Sequence, residues 1–337
     1  MALIVILFDG GMEIGWSSFR ESLKPIVSLG VAGTFAVAGL IGLAMHGLFG
    51  LSWTSSLLVG AALAPTDPAV MFSVLGGREI AGRSAVILQG ESGANDPVGI
   101  ALMLGLLEIA TSDGTWSTIA VSVAVEMVVG VAVGVAGGLA LVRLMRRVSL
   151  RDAALHPLLT LASAGVIYGL ASVLHGSGFL AVFVAGLLIA DVRVPFRAEI
   201  EHFHTALASL AEIVVFVALG LTVELSSLDV RDVLLDGILL ALLLTLAVRP
   251  LVVAVLLAPV QLARGEKAFV AWAGLRGAVP ILLAAFALLE GADDARRIYG
   301  LVFVVVMFSV VVQGTLVQAV AGRTGVPMRR IEQDPWS

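Results

Sequence analysis

Long apolar runs, each closed by a short cluster of Gly, Pro or charged residues, divide the chain into segments of membrane-spanning length. The runs fall at 26–49, 52–75, 84–110, 116–145, 156–174, 178–190, 204–222, 234–258, 266–288 and 298–321. Most reach the ~20 residues that an α-helix needs to cross a bilayer. A shorter opening run at 1–7 has no basic start and no small-residue cleavage site, so it reads as the end of a further helix and not as a leader. The pattern predicts an all-α polytopic membrane protein with about 11 transmembrane segments.

Two of the runs are interrupted where a helix cannot continue. Segment 52–75 contains Ala64-Pro65-Thr66-Asp67-Pro68, whose two prolines remove two backbone donors. Segment 266–288 contains Gly274-Leu275-Arg276-Gly277-Ala278-Val279-Pro280, two glycines around a cation with a proline beyond. Unwound backbone at membrane depth survives only inside protein or beside a water-filled cavity. Gly11 to Asp67 and Gly220 to Arg276 both span 56 residues, so the halves read as repeats offset by 209. One connecting helix between them would invert the second repeat relative to the first, as in secondary transporters. The expected division is a first, incomplete inverted repeat at 1–110, a connecting helix at 111–150, a second inverted repeat at 151–325 and a cytoplasmic tail at 326–337.

Composition strengthens the membrane reading. Of 337 residues 59% are hydrophobic and only 13% charged, against roughly 25% charged in soluble chains. The net charge of -5 gathers nowhere, which argues against nucleic acid as a partner. Cysteine is absent, so disulfides, thiolate metal sites and cysteine nucleophiles are excluded, and no cofactor is expected. Fifteen of the twenty Lys and Arg fall in loops on one side, against Arg231, Arg296 and Arg297 on the other. The positive-inside rule then places the N-terminus outside and the C-terminus in the cytoplasm, as expected for a multi-pass protein of the cell (inner) membrane.

Polar chemistry concentrates in one stretch of segment 84–110, Gln89-Gly90-Glu91-Ser92-Gly93-Ala94-Asn95-Asp96-Pro97. An ionisable group at the bilayer centre costs ~3 kcal/mol on insertion scales, so Asp96 and Glu91 are functional-site candidates by default. On a helix starting at Ser84, Ser92 and Asp96 share one face, Glu91 and Asn95 the neighbouring one, and Asp96 lies ~18 Å along the axis. The plainer alternative for either carboxylate is a buried pair that locks helices together. Alkali cations want several hard oxygen ligands, which a carboxylate, hydroxyls and broken-helix carbonyls supply.

These motifs carry a resemblance. Phe8-Asp9-Gly10-Gly11, Pro65-Thr66-Asp67-Pro68, Glu91-Ser92-Gly93-Ala94-Asn95-Asp96 and Gly274-Leu275-Arg276-Gly277-Ala278-Val279-Pro280 resemble, in order and spacing, the signature segments of the NhaP-type monovalent cation/proton antiporters. The resemblance implies a thirteen-helix fold, entered here within the third helix, with a dimerisation part and a core of two crossed, partly unwound helices. It also implies that Asp96 binds either the cation (sodium or potassium) or a proton, that Thr66 and Ser92 add oxygen ligands, and that Asp67 lines the crossing. By the same resemblance Asn95 marks the electroneutral exchangers, Glu91 pairs with Arg276, and the chain works as a homodimer. The helix depths of Glu91 and Arg276, ~10 and ~15 Å from the cytoplasmic ends, permit that pair.

The remaining polar residues have plainer expectations. Arg249 matches Glu212 in depth and is expected in a structural pair with it or in gating. Asp9 and Glu13 are expected at a solvated helix end, with a ligand role as the alternative, and Glu126 at an interface, at a lipid headgroup or in a functional role. His46, His156, His175, His202 and His204 are expected to be solvated, with pH sensing by His202 and His204 as the alternative. A cation channel or a proton-coupled symporter remains a rival to exchange. A serine protease built on Gly90-Glu91-Ser92-Gly93 lacks a histidine base at membrane depth.

Overall fold

The computed structural model describes residues 2–67, 78–80, 82–111, 116–148, 152–192, 194–221 and 230–330. Almost all of these are helical. Among them, seven helices are long and apolar enough to cross a membrane, and Trp53–Leu63, Gly178–Ala190 and Ala278–Leu289 are shorter apolar helices. The second part of segment 52–75, residues 68–75, lies outside the described residues. Large apolar side chains face outward, with Val173 77%, Leu289 80% and Leu221 83% exposed. Such a surface suits lipid and not water.

Sequence halves and compact bodies do not coincide. One compact unit comprises Met1–Leu23 with Thr115–Thr222, the other Lys24–Gly114 with Val223–Ser337, so each draws on both halves of the chain.

In the first unit the Gly178–Ala190 helix is buried along nearly its whole length. Ser177 starts it by accepting from the Leu180 N–H at 3.2 Å. Small residues let its neighbours close in: Gly11 of Ala2–Ile14 abuts the Phe183 carbonyl, and Gly186 abuts the Phe8 carbonyl. Gly130, Gly134 and Gly138, one per turn of Trp116–Arg147, abut Ser177, Ala181 and Ala185. In lipid such close backbone approach stands in for the missing hydrophobic drive between helices.

Several polar residues of this unit depart from expectation. Asp9 is buried, and its Oδ1 accepts from Thr205 Oγ1 at 3.2 Å. His204 is fully buried against Phe8, and its Nε2 lies 2.8 Å from Thr160 Oγ1. The Thr160 hydroxyl proton goes to the Pro157 carbonyl at 2.8 Å, so Nε2 of His204 is the donor to Thr160. His156 is also buried, with its ring against Phe196. His202 and Glu13 are exposed and Glu126 is half-buried.

The second unit contains both broken segments. Three of its helices carry a π-helical turn: Ser28–Gly33 within Leu23–Phe49, Leu244–Val248 within Val233–Leu256, and Ser309–Gly314 within Ala295–Thr324. Single π turns often mark functional positions. One feature was not expected from an all-helical pattern. Arg78–Ile80 and Met328–Arg330 pair as a two-stranded antiparallel ladder, with Ile80 opposite Met328 and Arg78 opposite Arg330.

Candidate functional site

The first broken segment leaves its helix after Leu63, and residues 65–67 run without regular structure. The second consists of Arg264–Trp272, an unwound link at 273–277, and Ala278–Leu289. Each helix end strands carbonyls that have no partner of their own and that, when buried, must be satisfied elsewhere.

A few groups meet part of that need. Arg276 Nε donates to the Leu63 carbonyl at 2.6 Å, and its Nη1 to the Gly274 carbonyl at 2.5 Å. Ser92 Oγ donates to the Thr66 carbonyl at 2.6 Å, and the Asp67 N–H donates to the Leu275 carbonyl at 2.8 Å. That last bond joins the two unwound stretches directly. Gly277 sits so close to Asp67 that an added Cβ would overlap the carboxylate, which explains why the position next to Arg276 has no side chain. Opposing helix ends thus meet at the break, with the Arg276 cation seated on the negative end of the Trp53–Leu63 helix.

Glu91 pairs with Arg249 and not with Arg276. Both Glu91 oxygens accept from the Arg249 guanidinium, Oε2 from Nη2 at 2.8 Å and Oε1 from Nη1, and both side chains are almost wholly buried. Nη2 of Arg249 also reaches the Val270 carbonyl at 3.3 Å. This corrects two expectations, the Glu91–Arg276 pair and the Arg249–Glu212 pair. The physical reason is that Arg276 commits its Nε and Nη1 to broken-helix carbonyls, whereas the planar fork of Arg249 matches a carboxylate edge. Gly274 makes room for it, since a Cβ there would strike the Arg249 guanidinium.

Thr66, Ser92, Asn95 and Asp96 are all buried. Asn95 Nδ2 donates to Thr66 Oγ1 at 2.8 Å, so the hydroxyl and carbonyl of Thr66 are each held by the Arg83–Thr111 helix. Two buried oxygens, Oδ1 of Asp96 and Oδ1 of Asn95, receive no hydrogen bond from the described residues. Asp67 is an electrostatic neighbour of Asp96. Pro97 sits inside the helix without an N–H to offer the Gly93 carbonyl, so a further oxygen beside Asp96 lacks its helical donor. Buried oxygens that no donor reaches are costly unless a proton or a cation occupies them. The arrangement has the hard-oxygen chemistry that an alkali cation requires.

Sequence reasoning missed Ser309 and Gln313. Ser309 Oγ accepts from the Arg276 N–H at 2.9 Å, and Gln313 Nε2 donates to the Trp272 carbonyl at 2.5 Å. Their polarity within an apolar helix was the available signal.

The profile of the family described as "Sodium/hydrogen exchanger, transmembrane" matches residues 1–322. The chain is 37% identical to the K(+)/H(+) antiporter NhaP of Alkalimonas amylolytica over 325 residues, covering 95% of this chain and 56% of that protein. It is 34% identical to the K(+)/H(+) antiporter NhaP2 of Shewanella baltica over 318 residues, covering 93% and 55%. The chain therefore spans about half the length of the curated relatives it matches. Its fold is similar to that of the sodium proton antiporter MjNhaP1 from Methanocaldococcus jannaschii, with a TM-score of 0.81 and 25% identity over 96% of this chain and 84% of the other. A multi-pass helical chain with broken segments joined through Asp67, and with this breadth of match, belongs to the sodium/hydrogen exchanger family, a family of membrane transporters and not of enzymes.

Proposed function

We propose that the chain carries the exchange core of a monovalent cation/proton antiporter, in which the cation (sodium or potassium) and a proton compete for Asp96. The reading rests on the two buried oxygens that no described donor reaches, Oδ1 of Asp96 and of Asn95, beside Thr66 and Ser92. In this reading those four residues bind the transported cation, and Asp67 lines the site. Charge balance favours the scheme. Glu91 and Arg249 cancel as a pair, whereas Asp96 is buried beside a second carboxylate, Asp67. An empty Asp96 is then an uncompensated buried anion, while either occupant neutralises it. One cation exchanges for one proton, because Asn95 adds no second charge. The relatives named K(+)/H(+) and Na(+)/H(+) antiporters support exchange without choosing the cation.

The proposal extends to topology. The 209-residue offset carries Trp53–Leu63 close to Arg264–Trp272, and Arg83–Thr111 close to Ala295–Thr324, which supports two inverted repeats at 1–110 and 151–325 about a connecting helix. The Lys and Arg bias supports a cytoplasmic C-terminus in the cell membrane, with 326–337 as a cytoplasmic tail. On the strength of the motif resemblance, the proposal also takes two copies of the chain to form a homodimer.

The test is transport in proteoliposomes. An imposed pH gradient is expected to drive sodium or potassium against the proton flux. Cation flux that ignores the proton gradient, or runs with it, would mean a channel or a symporter instead.

A further inference from the structure

We propose that Gln313 is a positioning residue that fixes the unwound link of the second broken segment, and through it the seat of Arg276. The inference rests on the exchange reading for its transport consequence, but its structural basis is separate.

Gln313 and Ser309 lie in the π-helical turn Ser309–Gly314 and are 3% and 2% exposed. The Gln313 side chain closes a circuit around residues 273–276. Its Nε2 donates to the carbonyl of Trp272, the last residue of the helix before the link. Its Oε1 accepts from Ser309 Oγ at 3.0 Å, and Ser309 Oγ in turn accepts from the Arg276 N–H at 2.9 Å. The direction of each bond comes from the chemistry. A carbonyl can only accept, so the amide nitrogen must face Trp272. The Ser309 proton then goes to the amide oxygen, leaving a lone pair for Arg276.

One neutral amide thus supplies a donor at one end of the unwound link and, through the Ser309 hydroxyl that it orients, an acceptor at the other. Thr245, in the π turn just before Arg249, reaches the same Oε1 at 3.5 Å. The first broken segment is held in a parallel way, by Ser92 and Asn95 from the Arg83–Thr111 helix. What the circuit fixes is the position of the Leu275 carbonyl and of Arg276, the two groups that meet Asp67 and Leu63. Neither Gln313 nor Ser309 is required to touch the transported ion. Loss of the circuit frees the link, and the charge seated beside the site moves with it.

The test uses the whole chain with three substitutions. Gln313→Leu keeps approximate size and removes both functions, Ser309→Ala removes only the relay to Arg276, and Ser309→Thr retains a hydroxyl as the conservative control. Hydrogen–deuterium exchange in detergent reads the link itself. Gln313→Leu is expected to lower protection of the peptide covering 273–277 while leaving Gly178–Ala190 unchanged. Proteoliposome assays with sodium and with potassium read the consequence. The apparent cation affinity is expected to weaken about tenfold for Gln313→Leu, the scale found for residues that orient a metal site from behind. Ser309→Ala should shift it less in the same direction, and Ser309→Thr should match wild type. Unchanged protection at 273–277 would overturn the inference, and so would loosened protection with wild-type cation affinity. If wild-type chain shows no proton-coupled flux, the exchange reading falls. Cation affinity is then read as the cation-induced rise in thermal midpoint, on which the same contrast between variants is expected.

Discussion

Glu91 and Arg249 meet fork to fork, with both carboxylate oxygens on one guanidinium and only 1% and 3% of the two side chains exposed. Removing one member of a buried pair typically costs about 3–5 kcal/mol because the other charge is left without compensation. Arg249→Met and Glu91→Gln are each expected to lower the thermal midpoint and folded yield sharply. The double variant should recover part of the loss. Arg276→Met combined with Glu91→Gln should recover less, since those residues share no hydrogen bond and interact only through space. Thermal melts in detergent check this, and a recovery in the Glu91–Arg276 combination as large as that in the Glu91–Arg249 combination would contradict the observed pairing.

Asp96→Asn is expected to abolish exchange and to leave the thermal midpoint near wild type, because the amide keeps the shape and removes the titrating charge. If cation and proton compete, apparent cation affinity rises roughly tenfold per pH unit below the pKa of the site and levels off above it. A pH series of cation titrations in proteoliposomes measures this slope. A flat profile, or an active Asp96→Asn protein, would remove Asp96 from the mechanism.

Asn95→Asp places a second carboxylate beside Thr66, where the Asn95 amide now donates at 2.8 Å. That donor is lost and a charge is gained. Exchange by the variant is expected to respond to an imposed membrane potential, whereas wild type is expected not to. Flux measured with and without a potassium–valinomycin potential, using sodium as the substrate, separates the two.

Gly277→Ala would force a methyl into the space of the Asp67 carboxylate. Overpacking of this kind costs about 1–3 kcal/mol, and here the strain falls on the bond between Asp67 and Leu275. The expected result is a fall in exchange out of proportion to the fall in melting temperature. Wild-type exchange in the alanine variant would show that the crossing tolerates displacement.

Gly10 and Gly11 form a built-in control. A Cβ at Gly11 would strike the Phe183 carbonyl, while one at Gly10 meets nothing within 4 Å. Gly11→Ala is expected to destabilise the Ala2–Ile14 and Gly178–Ala190 packing, and Gly10→Ala to be close to neutral. Melting temperatures of the two variants decide it.

Much of this was legible in the sequence. Pro65 and Gly274 announce broken helices because the backbone cannot hydrogen-bond normally around them, and Asp96 stands out because few charges are tolerated in lipid. The partner of Glu91 was not legible. Depth arithmetic gives height along a helix but not the direction in which a side chain points. Arg249 comes directly after the π turn Leu244–Val248, and one extra residue in a turn rotates the rest of the helix by roughly 100°. Nothing in Leu244-Thr245-Leu246-Ala247-Val248 signals that turn. His204 was misread because its position near the end of an apolar run suggested water, whereas neighbouring Phe8 and Thr160 enclose it. The discontinuous units were hidden because compactness depends on which helices pack, and repeat offsets do not report that.

The ladder between Arg78–Ile80 and Met328–Arg330 imposes an order on biosynthesis. Ile80 leaves the ribosome long before its partner Met328, and at ~5–20 residues per second the interval is on the order of tens of seconds. During that time the stretch after the first broken helix has no strand to pair with, and the membrane-embedded part must assemble without it. The pairing therefore closes only after both broken segments and the Ala295–Thr324 helix have been made, a latch set late relative to the helices it follows. A chain cut between Thr324 and Met328 would contain both broken segments and lack this closure.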